Sequence, residues 1–208
     1  MNVVIINYGM GNLGSVRRAF EECGATVRIS EEPKELTDAD RIVLPGVGAF
    51  SDGMRNLHRA GWPAAIKQAL AKPDVAFLGL CLGMHLIADA GHEGGETKGV
   101  GLVPGEVKRL AACGEERVPH VGWNEIRIER PDPLLAGIED RTDFYFVHSY
   151  QLIASDANTV IASTPYCGRF ASVIRRGNVF GTQFHAEKSS RAGFQLLRNF
   201  LSRSVLNA

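Results

Sequence analysis

Short apolar runs that alternate with amphipathic segments are the feature of this sequence that most restricts its fold. The apolar runs end at Gly, Pro or polar turns and predict strands over 3–7, 26–29, 41–44 and 75–80. Between them, the spacing of apolar residues predicts helices over 13–23, over 52–70 with a break near 61–63, and over 82–90. Strands that alternate with helices in this way form βαβ units with a parallel sheet.

The second half of the chain has a different pattern, in which strands are separated by turns. The predicted strands cover 106–110, 125–129, 143–150, 160–163, 172–175 and 179–184, and a last amphipathic helix covers 190–203. The expected fold is therefore α/β, a flavodoxin-like open mixed sheet with helices on both faces and a partly antiparallel C-terminal extension. Residues 1–208 are expected to form a single domain, since 208 residues suffice for one hydrophobic core.

Charge and hydropathy exclude several classes of partner. The chain has 23 Lys and Arg residues against 23 Asp and Glu residues, so it has no basic surplus for nucleic acid or an anionic membrane. Its longest uncharged apolar stretch, 75–88, is shorter than the roughly 18 residues of a membrane span. The first residues read as a strand rather than a signal peptide, and a cytoplasmic protein is expected.

The four cysteines lie too far apart for a zinc site or a compact disulfide framework. Cys23, Cys113 and Cys167 are expected to be small, buried or half-buried apolar residues. Cys81 differs from these three, because it stands within a glycine-bracketed pattern.

A glycine-rich segment follows the first predicted strand. Gly9, Gly11 and Gly14 match G-x-G-x-x-G, and Glu31 and Glu32 follow about 20 residues later, as in a dinucleotide-binding fingerprint. The same glycines also suit a tight turn between a strand and a helix. The pattern alone leaves both interpretations open, and no cofactor is predicted from it.

The strand over 75–80 runs into a G-x-C-x-G pattern around Cys81 and then into a helix. This is the pattern of a nucleophile elbow, in which Gly79 and Gly83 allow a turn too sharp for side chains at those positions. The start of a helix favours a thiolate, and the Leu82 N–H is placed to bind an oxyanion. The alternative interpretation is a buried cysteine in a glycine-bracketed turn.

A thiolate nucleophile requires a base and a group that orients the base. His185 and Glu187 supply both, because residues i and i+2 of an extended segment project to the same side. His85 is a rival base, one helical turn beyond Cys81, but it is expected to point poorly towards the thiol. A further glycine-rich turn, 45–50, follows the third strand and can present unobstructed backbone N–H groups to an oxyanion.

Together, these motifs resemble those of a known family, the triad-type class I glutamine amidotransferases. Within that family it is most similar to the glutaminase subunits of imidazole glycerol phosphate synthase. The resemblance rests on six segments spread along nearly the whole chain: Tyr-Gly-Met-Gly-Asn-Leu at 8–13, Pro-Gly-Val-Gly-Ala-Phe at 45–50, Gly-Leu-Cys-Leu-Gly-Met at 79–84, Pro-His-Val-Gly-Trp-Asn at 119–124, Tyr-Phe-Val-His-Ser-Tyr at 145–150 and Gln-Phe-His-Ala-Glu-Lys-Ser at 183–189.

The resemblance implies a role for each matching residue. Cys81 attacks the carboxamide of glutamine, His185 protonates the departing ammonia, and Glu187 completes the triad. The oxyanion is bound by the Leu82 N–H and by a peptide N–H of the turn. In that turn, the implied oxyanion-hole residues are Gly46 and Val47. The implied substrate-binding residues are Gly48, His85, His148, Ser149 and Tyr150. The implied partner-interface residues are Asn12, Trp123 and Lys188.

The implied partner is a (βα)8-barrel cyclase subunit, which takes up the ammonia that this chain releases. The glycine-rich loop after the first strand then faces that partner rather than a nucleotide. For Trp123 the alternative is a buried core indole, and for Lys188 it is a solvated surface charge.

Three residues depart from the family pattern, and the first is Asn7, which replaces an aspartate after the first strand. His85 replaces a glutamine that helps to bind the substrate, and Ala186 replaces a proline that stiffens the catalytic segment. These changes leave two other functions open: an amidotransferase subunit that serves another acceptor, such as a surface-polysaccharide sugar, or a non-catalytic partner subunit. The intact Cys81, His185 and Glu187 argue against the second.

Overall fold

Fourteen strands and five α-helices are present in a computed structural model that describes residues 1–112 and 114–206. The strands are β1 (Asn2–Ile6), β2 (Thr26–Ser30), β3 (Arg41–Gly46), β4 (Ala76–Cys81), β5 (Ala90–Gly91), β6 (Thr97–Lys98), β7 (Gly105–Arg109), β8 (His120–Glu125), β9 (Arg127–Ile128), β10 (Asp143–His148), β11 (Tyr150–Ala154), β12 (Val160–Thr164), β13 (Phe170–Arg176) and β14 (Val179–Thr182). The α-helices are α1 (Leu13–Glu22), α2 (Phe50–Ala60), α3 (Trp62–Leu70), α4 (Leu82–Leu86) and α5 (Ser190–Leu201). The predicted break near 61–63 falls at Gly61, whose φ of +80° separates α2 from α3.

The central sheet contains eight strands in the order β2-β1-β3-β4-β14-β13-β12-β9. The strands from β2 to β14 in this order are parallel to one another, whereas β13, β12 and β9 are antiparallel to their neighbours. This confirms the expected α/β, flavodoxin-like mixed sheet with a partly antiparallel extension. Gly46 at the end of β3 pairs with Cys81 at the end of β4. The glycine-rich turn and the elbow therefore lie side by side at the carboxyl edge, where open α/β sheets bind ligands.

Helices cover both faces of the parallel part of the sheet. In β1, Val3 and Ile5 belong to the core that contains residues of α1 and α5, whereas Val4 and Ile6 belong to the core of α2, α3 and α4. This alternation follows from the two-residue period of a strand. Because both faces are buried, the parallel strands read in the sequence as continuous apolar runs.

The strands outside the central sheet differ from the prediction. Among residues 1–112 and 114–206, β8 pairs only with β10 as an antiparallel ribbon, and a further sheet has the order β11-β7-β5-β6. The predicted strand over 125–129 is wrong, because the chain forms the ribbon over 120–125 and only 127–128 joins the central sheet. The predicted strand over 143–150 divides at Ser149 into β10 and β11, which pair with different strands.

The predicted helix over 82–90 is also wrong in length, since α4 ends at Leu86. Beyond that point the backbone bonds to a distant loop instead of continuing the helix. The Val100 N–H donates to the Leu86 carbonyl at 2.8 Å, and the Leu102 N–H donates to the Ile87 carbonyl at 2.9 Å. These long-range hydrogen bonds override a local pattern that remains apolar and helix-like.

The remaining sequence expectations concern cysteines, metals and membranes. Cys23 and Cys167 are half-buried, as predicted, and Cys113 lies outside the described residues. Within 1–112 and 114–206, no group of three or more His, Cys, Asp or Glu side chains is placed to hold a metal ion. None of the helices in these ranges has the length and apolar character needed to cross a membrane.

Candidate active site

Cys81 lies on a sharp turn between β4 and α4. Its φ is +51° and its ψ is −109°, a backbone conformation that costs a non-glycine residue on the order of 1–3 kcal/mol. The turn presses Gly79 against Gly83, so that a Cβ atom on Gly79 would lie 2.6 Å from the Gly83 carbonyl carbon. This geometry is that of a strained elbow, which presents a nucleophile at the end of a strand.

Replacing Gly83 with alanine is expected to lower the free energy of unfolding by about 3 kcal/mol or more. A Cβ atom at this position would overlap the backbone carbonyl oxygen of Leu44, which is held in the central sheet. Gly14→Ala is the matched control, because a Cβ atom there meets nothing within 4 Å. Denaturant unfolding measures both variants, and equal stability of the two would contradict this packing account.

His185 lies between Cys81 and Glu187. Its Nδ1 atom is 2.9 Å from Glu187 Oε1, and its ring is near enough to Cys81 for that side chain to raise its pKa. The side chains of His185 and Glu187 are only 7% and 2% exposed. Burial disfavours the imidazolium, but the hydrogen bonds and charges of Cys81 and Glu187 outweigh it and raise the pKa of His185 to about 10. At neutral pH, His185 is therefore a protonated group beside the sulfur.

The backbone joins His185 to Glu187 differently from the prediction. β14 ends before this segment, so the two residues do not lie on an extended strand. A 3-10 turn over Ala186–Lys188 instead brings the Glu187 carboxylate beside the imidazole. The Ser189 hydroxyl anchors this turn, since it donates to the His185 carbonyl at 2.7 Å and accepts the Tyr145 N–H at 3.0 Å.

The raised pKa of His185 predicts the pH dependence of any reaction that needs its proton. Such activity is expected to persist through neutral pH and to fall as the pH rises through about 10. Glu187→Gln removes one of the groups that raise this pKa, so the alkaline limb is expected to move down by about one pH unit or more. The pH profile of kcat/KM for the parent and the variant measures this shift. Superimposable alkaline limbs would exclude the proposed role of Glu187.

The Gly46-Val47-Gly48 turn lies beside Cys81 at the end of β3. Gly48 has a φ of +126°, and a Cβ atom there would lie 2.6 Å from Met10 Cε. The turn is held at its far end by Glu93, whose carboxylate accepts the Phe50 N–H at 2.8 Å at the start of α2. Sequence reasoning missed Glu93, because it is far from the turn along the chain and the residues around it form no motif that indicates this contact.

The Gly9–Gly14 loop packs against this same turn. A Cβ atom on Gly11 would lie 3.3 Å from the Gly46 Cα atom. In a dinucleotide fingerprint the third glycine permits close packing of helix and strand, but a Cβ atom on Gly14 would meet no atom within 4 Å. The Asn12 side chain accepts the Ser15 N–H at 3.2 Å and caps α1. These contacts favour the interpretation as a tight turn.

His85 is turned towards the protein interior. Its Nε2 atom is 2.7 Å from Gln183 Oε1, and the residue is 5% exposed. Burial lowers the pKa of His85 to about 4, although the hydrogen bond with Gln183 opposes the shift. Across the described residues, no hydrogen bond joins His85 to Cys81. This arrangement favours His185 over His85 as the proton-transferring group.

His148 forms a hydrogen-bonded chain with His120 beneath the ribbon. Its Nδ1 atom is 2.8 Å from the Tyr150 carbonyl, and its Nε2 atom is 3.0 Å from His120 Nδ1. Burial lowers the pKa of His148 to about 3 and that of His120 to about 4. Both rings are neutral at pH 7 and serve to fix the backbone, while Ser149 and Tyr150 are half-buried.

The backbone of β10 also reaches the nucleophile directly. The Val147 carbonyl oxygen is 3.8 Å from Cys81 Sγ. Sequence reasoning missed Val147, although it lies within one of the segments that carry the family resemblance.

The β8–β10 ribbon has an apolar outer face made of Val121, Trp123, Tyr145 and Val147. These residues pair across the ribbon, Val121 with Val147 and Trp123 with Tyr145. Val121 is 58% exposed and Trp123 is 54% exposed, so the buried-indole interpretation of Trp123 is wrong. The alternation of apolar residues at 121 and 123, and at 145 and 147, is the signal that could have revealed this face.

Comparisons with known proteins agree with these observations. The family model for "Glutamine amidotransferase class-I" matches residues 4–204. The chain is 49% identical over 198 residues to the "Imidazole glycerol phosphate synthase subunit HisH" of Moorella thermoacetica, covering 95% of this chain and 93% of the relative. It is 45% identical to the protein of the same name from Chromobacterium violaceum, covering 97% of this chain and 98% of the relative.

Solved structures give the same fold at lower sequence identity. A crystal structure of a glutamine amidotransferase superposes with a TM-score of 0.76 at 17% identity, covering 99% of each chain. A chain in the structure of PurLQS from Thermotoga maritima gives a TM-score of 0.76 at 17% identity, covering 96% of this chain and 97% of that one.

Proposed function

This chain belongs to the class I glutamine amidotransferases, as a HisH-type glutaminase subunit of imidazole glycerol phosphate synthase in histidine biosynthesis, and on this premise we propose how its residues hydrolyse glutamine. The observation that carries the proposal is the buried cluster of Cys81, His185 and Glu187 on a strained elbow. The match of the family model to residues 4–204 supports a single glutamine amidotransferase domain over 1–208.

The first half of the proposed reaction cleaves the carboxamide. The Cys81 thiolate attacks the carboxamide carbon of glutamine and forms a carbon–sulfur bond. The resulting oxyanion is bound by the Leu82 N–H and by a peptide N–H of the Gly46-Val47-Gly48 turn. The carbon–nitrogen bond then breaks, and the His185 imidazolium gives its proton to the departing nitrogen, which leaves as ammonia.

The second half hydrolyses the γ-glutamyl thioester. His185 is now neutral and accepts a proton from water, which attacks the same carbonyl carbon. The carbon–sulfur bond breaks, glutamate leaves, and the thiolate and imidazolium are restored. Glu187 holds His185 through the 2.9 Å contact at Nδ1, which leaves Nε2 to exchange protons at the sulfur and the substrate. The backbone of Gly48 and of the 148–150 segment lines the glutamine site in this proposal.

The ammonia must remain unprotonated to act as a nucleophile, so we propose direct transfer to a (βα)8-barrel cyclase partner. The decisive experiment measures glutamate release by the purified chain alone, and then with a cyclase subunit of imidazole glycerol phosphate synthase plus its nucleotide ligand. Strong release only in the full mixture is the expected result. Absence of stimulation in that mixture would reject this partner assignment.

The partner is proposed to dock on the apolar outer face of the β8–β10 ribbon. This face is continuous through β10 with the Val147 carbonyl beside Cys81, and an exposed apolar face of this kind is typical of an interface. Asn12, Lys188 and Val47 are also exposed, and we propose that they contact the partner too.

Val121→Asp is expected to weaken binding of the cyclase subunit by about tenfold or more, because it places a charge on the apolar docking face. Ile153→Asp is the matched control, since Ile153 is 47% exposed on β11, away from this face. Titration of each variant with the cyclase subunit measures the Kd. Equal weakening by both substitutions would place the interface elsewhere.

A further inference from the structure

Gln183 lies between His85 and Cys81 in the protein interior. Its Oε1 atom is 2.7 Å from His85 Nε2, and its Nε2 atom is 4.0 Å from Cys81 Sγ. Gln183 is fully buried and His85 is 5% exposed. The three side chains therefore form a continuous chain of contacts from α4, through the segment after β14, back to the elbow.

The chemistry of the groups fixes the direction of this chain. An amide oxygen can only accept a hydrogen bond, so His85 must donate through Nε2. Burial lowers the pKa of His85 to about 4, which makes it a neutral Nε2–H imidazole at pH 7. With its oxygen held by His85, the Gln183 amide must present its NH2 group to the sulfur.

The Gln183 amide and the Val147 carbonyl have opposite effects on the charge of the Cys81 sulfur. The Val147 carbonyl oxygen, 3.8 Å from Cys81 Sγ, can accept a hydrogen bond from a thiol but repels a thiolate. The Gln183 NH2 group has the opposite preference, because an N–H donor binds a charged acceptor more strongly than a neutral one.

We propose that Gln183 is a positioning residue for Cys81, which donates an amide N–H to the thiolate in an orientation imposed by His85. This inference rests on the proposed function, because it assumes that Cys81 acts as the nucleophile. It gives His85 a role through Gln183 instead of a direct contact with glutamine. The other titratable groups that face the sulfur or its immediate neighbours are His185, Glu187, His148 and Tyr8.

The test is the pH profile of Cys81 alkylation by iodoacetamide, read by mass spectrometry on the peptide that contains Cys81. It needs neither glutamine nor a partner. Gln183→Leu removes the donor, so the midpoint of the profile is expected to move to higher pH by about one unit. His85→Leu releases the amide and is expected to give a similar shift. His85→Gln keeps a donor at this position and is expected to restore the parent midpoint.

The double variant His85→Leu with Gln183→Leu distinguishes positioning from general damage to the core. Because the two residues act in one chain, the double variant is expected to shift the midpoint no more than either single variant. Ser172→Ala is the control, since Ser172 is fully buried, its carbonyl accepts the Gln183 N–H at 2.9 Å, and its hydroxyl has no partner among the described residues. It is expected to leave the midpoint unchanged.

A parent-like midpoint in both Gln183→Leu and His85→Leu would overturn the role of Gln183. Additive shifts in the double variant would also overturn it, because the two residues would then act independently. Neither result bears on glutamate release with the cyclase subunit, which tests the proposed function separately.

Discussion

Replacing Cys81 with alanine is expected to reduce partner-stimulated glutamate release by about 10⁴-fold or more. The variant loses the only atom that can form the thioester in this mechanism, and the oxyanion donors cannot replace a nucleophile. Alanine is smaller than cysteine, and it relieves rather than adds crowding at the elbow. The protein is therefore expected to fold and to bind the cyclase subunit like the parent, as measured by titration.

Cys23→Ala is the control for this prediction. Cys23 is half-buried, and its sulfur contacts the Phe194 carbonyl at 3.7 Å, in the core that contains α1 and α5. Its substitution is expected to leave glutamate release within about twofold of the parent. Should Cys81→Ala retain stimulated release while Cys23→Ala loses it, the nucleophile would have to be reassigned.

His185→Asn is expected to lower kcat for glutamate release by about 10³-fold or more. Asparagine can keep a hydrogen bond to Glu187, but it can neither carry a proton to the departing ammonia nor accept one from water. The loss is expected in kcat rather than in KM, because His185 acts on the reacting atoms. Steady-state kinetics of the complex with the cyclase subunit separate the two parameters.

Substitutions of two other histidines serve as comparisons for His185→Asn. His58 is exposed on α2, and His58→Asn is expected to leave turnover unchanged. His85→Gln is expected to cost less than about tenfold, because glutamine can also donate to Gln183. A large loss in His85→Gln combined with a small loss in His185→Asn would reverse the assignment of the two residues.

The elbow and the proximity of His185 to Glu187 were predictable because their signals are local or chemical. Gly79 and Gly83 flank Cys81 at the positions where a side chain would collide, and that requirement is visible in five consecutive residues. The pairing of His185 with Glu187 was predicted correctly, but for a wrong geometric reason. The spacing of two residues fits a strand, whereas the chain uses a 3-10 turn held by Ser189.

Contacts between distant segments were not predictable from one sequence. His85 and Gln183 are 98 positions apart, and Phe50 and Glu93 are 43 apart. Neither pair has a spacing that indicates contact, since each depends on how β14 and the α4 region are placed in the sheet. The same limit explains the error in α4, whose predicted extension is replaced by backbone bonds to 100–102.

The β8 strand of the β8–β10 ribbon was predicted incorrectly for a different reason. Its buried face carries His120, Phe146 and His148, and its outer face carries Val121 and Trp123. In β8 the apolar residues Val121 and Trp123 are exposed, whereas the inward-facing positions carry His120, Gly122 and Asn124. This is the reverse of the pattern expected of a half-exposed strand, so the segment was assigned to the wrong residues.

The most direct test of the central claim is to trap the acyl-enzyme. Glutamine is mixed with the chain and the cyclase subunit bound to its nucleotide ligand, and turnover is stopped with acid. Mass spectrometry of the digested protein should then show a glutamyl group on the peptide that contains Cys81, and none in the Cys81→Ala variant. A glutamyl group on any other residue, or glutamate release without any acylated peptide under conditions that preserve thioesters, would contradict the account.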